Sequence, residues 1–141
     1  MQAIIGKQFP KILIPKINDA KTSIKIVVFD WRWYSNDPAN PVQLFNQSIV
    51  RAVGRGVVVS AIVNSDSIVG ILTAVRVNAK KINTKGLVHA KMIIIDDKIV
   101  VVGSHNYSTM AFTQNHEISS LFEDAEIAKE YLLFFNDLWQ L

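Results

Sequence analysis

The stretch His89–Asn106, HAKMIIIDDKIVVVGSHN, decides how this chain of 141 residues is read. Side chains two apart on a strand share a face. His89 and Lys91 therefore project together, with Ile93 and Ile95 continuing their side, while Ala90, Met92 and Ile94 take the other. The strand is read over Val88–Ile95, and a histidine beside a lysine at the open end of an otherwise apolar strand needs an explanation. Asp96-Asp97-Lys98 reads as a hairpin turn into a second strand, Ile99–Val102. That hairpin returns Gly103-Ser104-His105-Asn106 to a place beside His89 and Lys91.

Upstream, SIKIVVFDW alternates and is β-branched, which predicts a strand over Ile24–Phe29. Pro41 fits a first helical position with Asn40 as its cap, and Leu44, Phe45, Ile49 and Val53 keep helical spacing until Gly54 or Gly56. A buried strand follows from Val57, then a helix capped by Ser65 or Asp66 and running to about Val77. A short strand is expected near Lys81–Asn83. Downstream, His116–Phe122 reads as a strand, and Asp124 caps a terminal helix carrying Ile127, Tyr131, Phe134, Phe135 and Leu138. The N-terminal FPKILIPKINDAKT carries two prolines and reads as a loop with at most a short helix. These elements predict a mixed α/β fold: a central mixed sheet flanked by helices, in one domain over residues 1–141.

Half of the residues are hydrophobic and 19% are charged, a composition that excludes disorder. There is no cysteine, which excludes disulfides, thiolate metal sites and cysteine nucleophiles. No apolar run approaches the ~18 residues of a membrane span and no signal peptide is evident, so the expected location is the cytoplasm, or the periplasm or exterior if a leader has been removed. The net charge of +3 suits a polyanionic substrate without requiring one. Lys7, Lys11, Lys16, Lys21 and Lys25 face only Asp19 early in the chain, and six acids between Glu117 and Asp137 face only Lys129. Solvated faces explain both runs, although part of the basic set would also rim an anion site.

A lone histidine on an apolar strand is more often a hydrogen-bonded core residue than a reactive one. Here the hairpin adds Lys91, Ser104 and Asn106 to His89. An imidazole, an ammonium, a hydroxyl and a carboxamide in one small volume are the equipment for gripping a phosphate and attacking it. Gly103 would let backbone approach closely.

The complete pattern is H-x-K-x4-D-x6-G-S-x-N, and it resembles the signature of the phospholipase D superfamily of phosphodiesterases at every fixed position and spacing. Six fixed residues give a chance match on the order of one in a million. Asn115 and Glu117 in QNHEI stand where that family carries an asparagine and a glutamate, and RGVVVSAIV is similar to its first half. The resemblance implies a phospholipase D-like fold and a set of roles. His89 resembles the nucleophile that forms a phosphohistidine, Lys91 and Asn106 the phosphate ligands, and Ser104 a supporting hydrogen-bonder. Glu117 resembles the carboxylate that orients a catalytic imidazole. Asp96 occupies the pattern's aspartate position, but at the far end of its strand a hairpin or ion-pair role is at least as expected.

Arg32 and Tyr34, after the first strand, are the expected substrate-binding rim, and Trp31 and Trp33 are divided between core packing and base stacking. Lys80, Lys81 and Lys85 suit a polyanion contact or a solvated run equally. A zinc site from His89, His105 and His116 is disfavoured, because strand alternation turns His105 and His116 away from the motif face, so no metal and no cofactor is expected. Displacement at phosphorus needs a nucleophile and an acid. The three histidines include only one followed by lysine two residues on, so a second motif is absent and a homodimer with a shared site is expected. The resemblance to small single-motif bacterial endonucleases of the family points to a metal-independent nuclease on DNA or RNA. The alternatives are a phospholipase D or phosphatidyl transferase on phospholipid, and a silent nucleic-acid-binding member.

Overall fold

The computed structural model describes residues 1–141. The hairpin of β5 (Met92–Ile95) and β6 (Ile99–Gly103) lies at the centre of a seven-stranded sheet. One side of the hairpin adds β2 (Ser23–Val27), β3 (Val58–Val63) and β4 (Asn78–Lys81). The other adds β7 (Ile118–Glu123) and β1 (Gln2–Ile5), giving the order β1-β7-β6-β5-β2-β3-β4. β2, β3 and β4 are mutually parallel, and every other pairing is antiparallel. This is the mixed sheet flanked by helices that the sequence predicts.

Alternation along β5 partitions the core as expected. Ile93 and Ile95 join a 27-residue cluster beneath α1 (Gln8–Asn18), α2 (Pro41–Gly54) and α3 (Asp66–Ala74). Met92 and Ile94 join an eight-residue cluster beneath α5 (Ala125–Trp139). α2 begins as predicted, with the Asn40 side chain accepting from Val42 N–H and Pro41 at the first turn. It ends at Gly54, and Gly56 just beyond, with φ of +93°, admits the 52-to-57 and 53-to-56 bonds of a Schellman closure.

The N-terminal reading is corrected. Residues 8–18 form a full helix containing Pro10 and Pro15, preceded by β1. Pro10 sits in the first turn, where its missing N–H has no helical partner to lose. Pro15 costs about 3 kcal/mol in a helix interior. Phe9, Leu13 and Ile17, all buried on one face, return roughly 1.5–3 kcal/mol each. Three buried anchors outweigh one proline.

α3 stops at Ala74 and not near Val77, because Arg76 takes φ +67° and the Val77 and Arg76 N–H groups close back on Leu72 and Thr73. That early exit moves β4 up to Asn78–Lys81, in place of the expected 81–83. A short helix, α4 (Thr109–Thr113), follows Ser108, whose side chain caps it, and the sequence reading missed it.

Candidate active site

The expected strand Val88–Ile95 is regular only from Met92. The β2–β5 ladder ends at the Val27–Met92 pair, and the N–H of the next residue, Val28, bonds only to β3. On the other side the ladder reaches one step further, with Gly103 N–H donating to the Lys91 carbonyl. Asn64 takes over from there. Its amide donates to the carbonyls of Val88 (3.0 Å) and Phe29 (3.2 Å), lashing the His89 segment to the end of β2. Asn64 and Phe29 were not singled out from sequence, because neither stands in the motif and their role exists only across strands.

His89 is exposed, and its imidazole packs against the Phe29 ring at 4.8 Å between centroids. Lys91 Nζ lies 3.1 Å from Nδ1 and 3.2 Å from Nε2 of His89. An ammonium has only donors, so the ring nitrogen accepts in this contact. Burial pulls the Lys91 pKa below the ordinary lysine value, and the field of Glu117 partly restores it. Asn106 closes the site from the β6 side. Asp30 N–H donates to its Oδ1 at 3.0 Å, which fixes the amide and leaves the NH₂ group without a protein acceptor. Thus His89, Lys91 and Asn106 gather at one end of the hairpin, as the spacing predicts.

Ser104 and Glu117 stand on the adjoining edge. Ser104 Oγ donates to Glu117 Oε1 at 2.6 Å and accepts from Ile118 N–H at 3.0 Å, while Asn115 Nδ2 donates to Glu117 Oε2 at 3.1 Å. Within the chain Glu117 therefore binds Ser104 and Asn115 and makes no bond to His89. Gly103 admits the close backbone approach expected of it, and the backbone that approaches is that of β7. A Cβ there would collide with the Ile118 carbonyl and the Ser119 backbone, so the glycine lets β6 and β7 close and thereby brings Ser104 to Glu117.

Asp96 is placed apart, seven residues from His89 and roughly 23 Å along an extended chain. Its carboxylate accepts from the N–H groups of Lys21, Thr22 and Ser23 and from the Thr22 hydroxyl, at 2.8–3.2 Å. Burial alone would raise its pKa, but those hydrogen bonds outweigh it and hold the carboxyl below its ordinary value.

His105 does face away. It is buried, stacks on Phe9 at 4.5 Å, donates from Nε2 to the Gly6 carbonyl and accepts at Nδ1 from the Ser119 hydroxyl at 2.7 Å. Burial pulls its pKa down against the opposing Gly6 bond and Glu117. No group of three or more His, Asp or Glu side chains is disposed to hold a metal ion.

Among the rim candidates, Arg32 is exposed and its Nε donates to Asp30 at 2.8 Å. Tyr34 turns into the core surface, with its N–H donating to Gln43. Trp31 is buried, and Trp33 is partly so. Lys80 is occupied by Trp139, whose ring lies 4.3 Å from Nζ, and Lys81 pairs with Asp66.

A seven-stranded mixed sheet with a His–Lys pair and a Ser–Glu pair at one end of its central hairpin defines a phospholipase D-like architecture. Comparison with known proteins agrees. Residues 13–139 match the family described as the phospholipase D-like domain of cardiolipin synthase, and the chain belongs to the phospholipase D superfamily. It is 28% identical to the mitochondrial cardiolipin hydrolase of Mus musculus over 127 residues, 86% of this chain and 53% of that protein. The chain spans about half the length of the curated relatives it matches. Its fold is similar to Nuc from Salmonella typhimurium, a phospholipase D family member, with a TM-score of 0.82, 21% identity, and coverage of 99% of this chain and 94% of that one. NucT from Helicobacter pylori is similar at a TM-score of 0.79 and 23% identity, with the same coverage.

Proposed function

We propose that the chain is a metal-independent phosphodiesterase that hydrolyses nucleic-acid diesters at a site shared by two subunits. The observation that carries the reading is the open end of the hairpin. There an exposed imidazole stands with an ammonium 3.1 Å away and a carboxamide NH₂ that has no protein partner. One His89 nitrogen attacks phosphorus as the ester P–O bond breaks, and the departing oxygen takes a proton from the second subunit's imidazole. That imidazole then removes a proton from water, the water oxygen bonds to phosphorus, and the phosphohistidine P–N bond breaks. Lys91 and the Asn106 NH₂ group neutralise the non-bridging oxygens, the work a metal ion does elsewhere.

The motif's resemblance to small single-motif endonucleases of the family, and a fold similar to that of TrmBL2, an archaeal chromatin protein whose structure shows a novel mode of DNA binding (TM-score 0.66, 16% identity), support nucleic acid. The lipid reading rests on the mitochondrial cardiolipin hydrolase and is the second candidate. Incubation with labelled single- and double-stranded DNA, RNA and cardiolipin vesicles in EDTA separates them. The expected result is cleavage of nucleic acid in EDTA by a dimer. Turnover of lipid alone would replace the substrate, and activity lost in EDTA and restored by magnesium would remove the metal-free mechanism.

A further inference from the structure

The phosphoryl chemistry leaves one feature beside the imidazole unused: a cleft of about 510 Å³ between the segment that continues β2 and the start of α3. Phe29, Asp30, Arg32 and Trp33 line one side, and Asn64 and Ser65 the other. The geometry points to this cleft as the subsite for a nucleobase flanking the scissile phosphate, with Trp33 as its stacking surface and Arg32 as its polar edge. The inference rests on the nucleic-acid reading above and names where the substrate's specificity-bearing part sits.

Three wall residues touch the motif directly. The Phe29 ring packs against His89, the Asn64 amide holds the Val88 carbonyl, and Asp30 N–H holds Asn106. A phosphate against His89 therefore has its flanking nucleoside at the mouth of the cleft. The volume falls in the range of small-ligand pockets, about 300–1,000 Å³.

The wall is also prebuilt. Gln43 and Asn46 of α2 are both buried polar side chains, an arrangement that costs stability unless each group is bonded. Their bonds go to this segment. Asn46 accepts from Trp31 Nε1 at 2.7 Å and donates to the Arg32 carbonyl at 3.0 Å, and Gln43 accepts from Tyr34 N–H at 2.8 Å. A parallel bridge between Trp31 and Tyr107 supports the other edge. Residues 31–34 are thus braced from two sides while Arg32 and part of Trp33 remain at the surface, which reduces the ordering cost of binding.

The charges choose among occupants. Asp30 faces the cleft and repels a neighbouring phosphate. Arg32 spends only Nε on Asp30, and its two Nη groups have no protein acceptor. A neutral planar group with an acceptor on its edge suits the Arg32 donors and brings no charge to oppose Asp30. An acyl chain would bury the Asp30–Arg32 pair against hydrocarbon, and a second phosphate would meet the carboxylate.

The test is calorimetric binding of nucleoside 3′- and 5′-monophosphates, methyl phosphate and glycerol 3-phosphate to the dimer. Hydrolysis of methyl p-nitrophenyl phosphate is measured in parallel. Base stacking predicts that at least one nucleotide isomer binds roughly 5- to 150-fold more tightly than methyl phosphate. Trp33→Ala and Arg32→Ala should each erase most of that gain, Trp33→Phe should keep it, and methyl phosphate affinity should not change. Trp33 packs partly on the core, so Arg32→Ala, at an exposed side chain, keeps the test decisive if Trp33→Ala fails to fold. Nucleotides no tighter than methyl phosphate, a gain that survives Arg32→Ala, or an equal gain for glycerol 3-phosphate would overturn the assignment. Intact nucleotide preference without hydrolysis would defeat the catalytic reading alone, and intact hydrolysis without preference would defeat this inference alone.

Discussion

The two ends of the β5–β6 hairpin are built from the same motif and do opposite things. At the turn end, Asp96 and Asp97 both take positive φ, +55° and +52°, a conformation that costs a non-glycine residue about 1–2 kcal/mol. The cost is offset locally. Asp96 collects four donors from Lys21–Ser23, and Asp97 pairs with Lys25 Nζ at 2.7 Å. At the open end, His89 and Lys91 have chiefly each other, and the Asn106 NH₂ group has no protein partner. One end uses its polar groups to close the fold, and the other leaves them where the proposed site lies. Membership of one sequence pattern therefore does not imply one role. The aspartate of H-x-K-x4-D belongs to the clasp, and the histidine and lysine to the proposed site.

The largest expected effect tests the open end. His89→Ala removes nucleophile and acid from both halves of a shared site, and activity should fall by about 10⁴-fold or more with the melting temperature unchanged. A loss of stability of the same order as the other variants would show that the imidazole is part of the clasp.

Asp96→Ala should do the reverse. Hydrogen bonds to a charged group contribute about 1.5–3 kcal/mol each. Several are lost at a half-exposed position, so a destabilisation of about 2–4 kcal/mol is expected from denaturant midpoints, with the activity of the folded fraction kept within about twofold. A catalytic loss as large as that of His89→Ala would erase the distinction between the ends.

Gly103→Ala should blur the comparison. A methyl group there meets β7 backbone, and the strands must part at a cost of about 1–3 kcal/mol. Separation also carries Ser104 away from Glu117, so stability and activity should fall together, both measurable on one preparation.

The smallest effect is in pH. The folded pKa of His105 lies below its ordinary value, so between the two only the unfolded chain takes the proton. Stability should therefore decline as pH falls below about 6.5, by at most about 1.4 kcal/mol per pH unit. Asp96 is also held below its ordinary value, so its contribution is present above about pH 4 and is lost only on further acidification through the folded pKa. Acid denaturation of the wild type should show both declines, and His105→Gln and Asp96→Ala should each lack one of them.

Much of this was legible in the chain because it depends on local rules. Strand alternation placed Ile93 and Met92 in different clusters, the Asn40–Pro41 pair started α2, and fixed spacing across a hairpin brought Asn106 to the same end as His89. What was missed depends on distant partners. Helix α1 was concealed by Pro10 and Pro15, since the worth of Phe9, Leu13 and Ile17 appears only once α2 and the sheet cover them. Asn64, Gln43 and Asn46 carry no motif, because each acts by satisfying backbone groups of a segment remote in sequence. Arg32 and Tyr34 looked alike, and only the packing of Tyr34 against the core, beside an exposed Arg32, separates them.

The central claim is that two open ends, one from each subunit, make one catalytic site. Differently tagged wild-type and His89→Ala chains, purified as mixed dimers, test it on two substrates. A natural diester needs its leaving oxygen protonated, a requirement worth about 10²–10⁴-fold, so the mixed dimer should retain far less than half the wild-type rate. A p-nitrophenyl diester needs little acid, and on it the mixed dimer should still form phosphohistidine. Half the wild-type rate on the natural diester would mean that each chain holds a complete site, and would contradict the account.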